Sequence, residues 1–184
     1  VELLTEGRVV TSGAGVTTFF DDVLHNGQEI RTFEGSRTVF FGEQSGAGSF
    51  TGTGIVEYAG DLRPRNSPAT ITYEGDVLFN SSVDLFVELG GESIGLFDRL
   101  EVAGDWFVDG NLFVDLIDSF QLGLGQEFVI GEIGGFRIGE FNGLSEGDLV
   151  GSFGGRDLFI SYVAGDGNDI SLFTAAVPEP GVSI

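Results

Sequence analysis

At 184 residues and 19.5 kDa the chain has the length of one domain, and its 41% of hydrophobic residues can bury a core, which excludes a disordered chain. Its 29 acidic residues against 8 basic ones give a net charge of −21, and a polyanion of this kind repels nucleic-acid phosphates and anionic lipid heads. Cysteine and methionine are absent, so thiol chemistry is excluded, and no apolar run reaches the ~18 residues of a membrane span.

In chain order, β-branched and aromatic runs bounded by Gly, Asn, Asp and Ser predict strands at Val9-Val10, Val16–Phe20, Glu29–Phe33, Thr38–Phe41, Ser49–Thr51, Ile55–Tyr58, Ala69–Tyr73 and Val77–Phe79. Asn26-Gly27, Gly35-Ser36, Gly46-Ala47-Gly48 and Gly52-Thr53-Gly54 read as turns, because these residues reach positive φ at little cost. Arg63-Pro64-Arg65-Asn66-Ser67-Pro68 reads as a loop, since two prolines cannot donate to a ladder. From Val83 the runs lengthen: Val83–Leu89, Leu100–Val102, Trp106–Val108, Leu112–Ile117, Phe128–Ile130, Leu149-Val150, Leu158–Val163 and Ile170–Phe173. Their alternation puts one face inward and one toward water. Helices are disfavoured because glycine breaks nearly every window of helical length.

One phrase returns along the chain. Phe19, Phe40, Tyr58 and Phe79 occupy its equivalent position at intervals of 21, 18 and 21 residues, and Leu85 and Leu112 stand 27 apart. Self-similarity near this period predicts a solenoid, in which no single circuit can bury its own apolar face. The expected fold is all-β, a single-domain parallel β-solenoid (β-helix). An extended segment over 1–10 would precede a solenoid over 11–173, with tighter circuits over 11–80 and broader ones over 81–173, and an extended tail over 174–184. An antiparallel β-sandwich is the rival, and it gives no reason for the echo.

Gly46-Ala47-Gly48-Ser49-Phe50-Thr51-Gly52-Thr53-Gly54 followed by Asn66-Ser67-Pro68-Ala69 resembles the repeat of bacterial autotransporter-type right-handed β-helix passengers. Leu89-Gly90-Gly91, Phe97–Gly104 and Gly165-Asp166-Gly167-Asn168-Asp169 match the ending of such repeats in order, and Arg65 stands where that family usually has glycine. Val177-Pro178-Glu179-Pro180 is similar to the start of PEP-CTERM sorting tails, which resemble substrates of an exosortase system in Gram-negative bacteria. The two resemblances imply an extracellular or cell-surface protein of such a bacterium.

Candidate chemistry is sparse. His25 is the only histidine, so nothing in the sequence places a nucleophile beside it. Asp21 and Asp22 point to opposite faces of a strand, whereas Asp115 and Asp118 straddle a strand end and are the pair a glycosidase would need. Gly165-Asp166-Gly167-Asn168-Asp169 resembles one unit of the glycine-rich calcium-binding repeat, which makes Asp166, Asn168 and Asp169 candidate oxygen ligands for calcium; no other cofactor is expected. The ends carry more weight. Val1, Leu3, Leu4, Val9 and Val10, and Phe173, Val177, Pro178, Pro180, Val182 and Ile184, form apolar extended segments suited to strand addition. Repeated head to tail, that contact makes a fibre. The sequence thus predicts a non-enzymatic structural or adhesive protein, with copies of itself or a surface polysaccharide as partners. A carbohydrate-binding or polysaccharide-processing module is the alternative.

Overall fold

The computed structural model describes residues 7–65 and 68–176, which form strands and turns without a helix. The first circuit holds β1 (Arg8–Thr11), β2 (Val16–Phe19) and β3 (Val23–Asn26), and the second β4 (Glu29–Thr32), β5 (Arg37–Phe40) and β6 (Gln44–Ala47). Next come β7 (Ser49–Thr51), β8 (Ile55–Tyr58) and β9 (Leu62–Arg63), then β10 (Thr70–Tyr73), β11 (Asp76–Phe79) and β12 (Asp84–Leu89). β13 (Arg99–Val102), β14 (Trp106–Val108) and β15 (Asn111–Leu116) complete a fifth circuit, and β16 (Glu127–Ile133) and β17 (Arg137–Gly139) open a sixth. The chain closes with β18 (Leu149–Phe153), β19 (Arg156–Ala164) and β20 (Asp169–Thr174).

Three sheets result. The nine-stranded sheet runs β1-β4-β7-β10-β13-β16-β20-β19-β18, the six-stranded one β17-β14-β11-β8-β5-β2, and the five-stranded one β15-β12-β9-β6-β3. Through β17 every ladder is parallel, the chain visits the sheets in strict rotation, and no sheet closes into a barrel. This all-β arrangement fits a parallel β-solenoid, and its ladders are not those of an antiparallel sandwich.

The sequence echo is the register itself. Phe19 pairs with Phe40, Phe40 with Tyr58, Tyr58 with Phe79, and Leu85 with Leu112. In-register stacking places like side chains on like, so aromatic rings pile up inside. Phe19, Phe40 and Tyr58 stack with centroids 5.0 and 5.3 Å apart, and Phe50 lies on Tyr73 at 4.8 Å. Phe79 then meets Tyr58 and Trp106 edge-on at 5.4 and 5.2 Å. Such pairs add ~0.5–1.5 kcal/mol each beyond the area they bury. Toward the first circuit the interior turns polar: the buried Thr11, Thr32 and Thr38 join through hydroxyl contacts of 3.1 and 2.7 Å.

Where the chain bends between sheets, circuits approach so closely that a side chain has no room. A Cβ on Gly75 would fall on the Gly54 carbonyl and within 2.9 Å of the Gly52 carbonyl, and one on Gly42 would stand 2.5 Å from the Asp21 backbone. Gly46 is a different case: its φ of +101° is open only to glycine, and it lies inside a strand. The strands β3, β6 and β9 depart from the sequence expectation. β6 carries a glycine and small polar residues that look like a turn, β3 ends in the turn-like Asn26, and β9 is only two residues long before Pro64, yet all three place buried side chains such as Val23, Gln44 and Leu62 inside.

The last three strands also depart from it. β20 returns antiparallel to β16, β19 to β20 and β18 to β19, so the rotation through three sheets stops before the expected boundary at 173. Leu158, Ile160, Tyr162, Ile170 and Leu172 are buried with the main core, and Val150 and Phe153 pack against it. The Tyr162 hydroxyl accepts the Phe141 N–H at 3.0 Å and donates to the Leu144 carbonyl at 2.8 Å, which fastens this hairpin layer to the end of the stack.

Gly75→Ala is expected to cost ~3 kcal/mol, because the added methyl meets backbone that cannot yield. Gly35→Ala, at φ +72° with nothing within 4 Å of its Cβ, should cost only about 1 kcal/mol of left-handed backbone strain. Denaturant unfolding of both variants measures the difference, and equal losses would refute the close-approach argument.

Candidate functional site

Much of the expected assembly surface, Val1, Leu3, Leu4, Val177, Pro178, Pro180, Val182 and Ile184, lies outside the described residues. Val9 and Val10 lie on β1, which ends the nine-stranded sheet and pairs with β4 alone among the described strands. Val10 is 46% exposed and in register with Arg31. Phe173 sits differently. In β20 it has Glu127 on one side and Phe159 on the other, so its backbone is already enclosed by neighbours. The antiparallel return moves the open edge from β20, the last described strand, to β18.

Two of the three candidate calcium ligands hold the framework. Asp169 is buried and its Oδ1 accepts the Ile133 N–H at 2.8 Å, while Asn168 Nδ2 donates to the carbonyls of Ile133 at 3.2 Å and Gly135 at 2.6 Å. Together they clip the turn between β19 and β20 onto the corner after β16. Burial raises the Asp169 pKa from its ordinary value, the Ile133 amide opposes that shift, and the charge of the exposed Asp166 adds to it. Among the described residues no group of three or more His, Asp or Glu is gathered where it could hold a metal ion.

Other carboxylates act as staples between circuits. Asp76 Oδ1 accepts the Asp105 N–H at 2.9 Å, and Asp105 Oδ1 accepts the Phe136 N–H at 2.8 Å, one circuit further. Asp22 Oδ1 accepts the Glu43 N–H at 2.9 Å, and Asp98 takes both the Ala69 N–H at 2.7 Å and the Glu88 N–H at 2.9 Å. On the outer face of the nine-stranded sheet, a depression of about 410 Å³ is lined by Glu74, Glu101 and Glu132. All three have partners: Glu74 accepts the Gly52 N–H at 2.6 Å, and Arg99 pairs with Glu101 at 3.4 Å and also with Glu132. Asp115 is exposed on β15 in register with Glu88, and Asp118 follows in a turn at φ +53°.

The sequence reading missed two surface features. On the outer face of the five-stranded sheet the Arg63 guanidinium lies 3.4 Å from the Phe86 ring centroid, and Phe86 stacks on Phe113 at 5.2 Å. Phe113 ends this stack on β15, the last strand of its sheet. A second exposed stack, Phe20 on Phe41 at 5.5 Å, marks the corner after the six-stranded sheet. Both could have been read from equivalent positions one period apart.

His25 belongs to the interior rather than to a turn. It is fully buried in β3, its Nε2–H donates to the Gln28 carbonyl at 2.6 Å, and Phe50 meets it edge-on at 5.0 Å. Gly48 makes room for it, since a Cβ there would stand 2.5 Å from the ring. Nδ1 is buried and has no hydrogen-bond partner among the described residues. Burial lowers its pKa from the ordinary 6.5, against a smaller raising effect of the Gln28 carbonyl. Nearby, the fully buried Tyr58 and Tyr73 hydroxyls meet at 2.7 Å, and Tyr58 also reaches Gln44 Oε1 at 3.1 Å; burial raises the pKa of both phenols.

No protein-family model matches this chain, and no curated protein matches it either.

The buried neutral His25 makes stability depend on pH. Its folded pKa lies below its unfolded value, so its contribution is complete above about pH 6.5 and is lost as pH falls toward the folded pKa. The slope it adds is at most ~1.4 kcal/mol per pH unit. Urea midpoints between pH 7.5 and 5.5 should fall more for the native protein than for His25→Leu; parallel curves would rule out His25 as the cause.

Proposed function

We propose that this protein is a secreted bacterial β-solenoid serving as a structural or adhesive component of the cell surface or extracellular matrix, and that it self-assembles. The observation that carries this reading is the use made of its polar side chains. Asp22, Asp76, Asp98, Asp105, Asn168 and Asp169 each bond the backbone of a neighbouring segment. Groups that could do acid–base work elsewhere maintain shape in this chain, so its usable property is a rigid prism with repeated faces. A surface of net charge −21 without lysine supports solubility and restrains indiscriminate edge pairing. The sequence resemblances to autotransporter-type passengers and PEP-CTERM tails support export.

A second reading has its own observation. The exposed stacks Arg63–Phe86–Phe113 and Phe20–Phe41 are the kind of aromatic surface on which a sugar ring packs. It makes the protein a carbohydrate-binding module of the same fold.

Negative-stain electron microscopy over a concentration series separates the two readings. Structural self-assembly predicts filaments that lengthen with concentration. Monodisperse particles throughout, together with glycan binding that Phe113→Ala weakens at least tenfold, would replace it with the binding reading.

A further inference from the structure

This inference rests on the self-assembly reading and specifies its contact. Charge is distributed very unevenly along the stack. Residues 7–65 carry five arginines against seven carboxylates, whereas residues 68–176 carry three arginines against nineteen. All five arginines of the first segment sit in ion pairs, Arg8 and Arg31 with Glu29, Arg37 with Glu57, and Arg63 and Arg65 with Glu43. One end of the molecule is therefore near neutral and the other strongly acidic.

The nine-stranded sheet connects these ends, with β1 as its edge strand at the neutral end and β18 at the acidic end. Among the described strands β1 pairs only with β4, and β18 only with β19. Both edges carry exposed apolar side chains, Val10 at 46% and Leu149 at 50%. β1 begins with Arg8; Asp148 immediately precedes β18, and Asp157 of β19 reaches over β18 to accept from the Ser152 hydroxyl at 2.5 Å. The antiparallel return of β20, β19 and β18 occupies the far side of β16, so a new copy cannot continue that sheet from β16 itself.

We propose that β1 of one copy pairs with the open edge of β18 of a second copy, extending the nine-stranded sheet from molecule to molecule. Charge selects this pairing. Joining two β18 edges would bring two acidic ends together, while joining β1 to β18 sets Arg8 against the Asp148 and Asp157 flank and Val10 against Leu149. Because the two surfaces differ, the contact repeats without closing and yields a filament.

The absence of cysteine from the chain gives a clean test. Val10→Cys and Leu149→Cys are made as separate, differently sized proteins, mixed at filament-forming concentration and mildly oxidised. Within one molecule the five steps from β1 to β16 alone span ~24 Å at ~4.8 Å per strand, far beyond the ~7 Å limit between bridged Cα atoms, so a bond between these positions must join two copies. The mixed Val10–Leu149 disulfide is expected to exceed either homodimer at least fivefold, and the double variant should give a ladder of multimers. Arg8→Glu in the Val10→Cys protein should reduce the mixed product at least threefold. Homodimers dominating, a statistical mixture of all three products, or no disulfide would each overturn the contact. Filaments that persist without the mixed disulfide would overturn the contact and leave self-assembly standing, whereas dispersed monomers would overturn both.

Discussion

The structure depends on parallel, in-register stacking of one circuit upon the next at the spacing of a β-sheet. At ~4.8 Å between strands, every inward position is repeated directly above its predecessor, so a single misfit residue is repeated as a misfit with both neighbours. Flat aromatic rings answer that constraint well, which is why Phe19, Phe40 and Tyr58 form a column. Glycine answers it at the corners, where Gly42 and Gly75 admit the backbone of the previous circuit. At these corners glycine is a consequence of backbone proximity, whereas at turns such as Gly35 it supplies a positive φ.

The carboxylates follow from the same spacing. A bend between sheets leaves N–H groups without a ladder partner, and buried unsatisfied donors cost ~1–3 kcal/mol each. An aspartate one circuit below accepts them, as Asp76 does for Asp105 and Asp105 does for Phe136. A charged acceptor makes a stronger hydrogen bond than a neutral one. Part of the acidity therefore serves to join one circuit to the next.

What the sequence revealed and what it hid divide along physical lines. The columns were legible because aromatic residues are large and recur at fixed intervals; Phe40, Tyr58 and Phe79 announce their register partners directly. The five-stranded sheet was largely illegible in its first half, because Gln44–Ala47 carries turn-like serine and glycine and Leu62–Arg63 is only two residues long before Pro64. Inward glutamine, serine and histidine make sense only once the polar interior around Thr38, Gln44 and Tyr58 is known. Strand direction was hidden too: β19 and β20 alternate as a parallel strand would, and only pairing distinguishes them. For the candidate site, the strand at Val9 and Val10 was readable from the sequence, whereas its place at the end of the nine-stranded sheet and the enclosure of Phe173 needed the topology.

The gradation of the interior, from threonines and His25 at one end to Trp106, Phe128 and Phe141 at the other, sets a direction for unravelling. In a stack held by nearest-neighbour contacts, local opening begins where a layer contributes least apolar burial and proceeds layer by layer. The first circuits are that place, while the hairpin layer of β18 to β20 seals the opposite end. Amide exchange should accordingly rise in a ramp toward β1, and a mechanical load applied at the chain's start would peel circuits one at a time, letting the molecule lengthen in steps before its aromatic base yields.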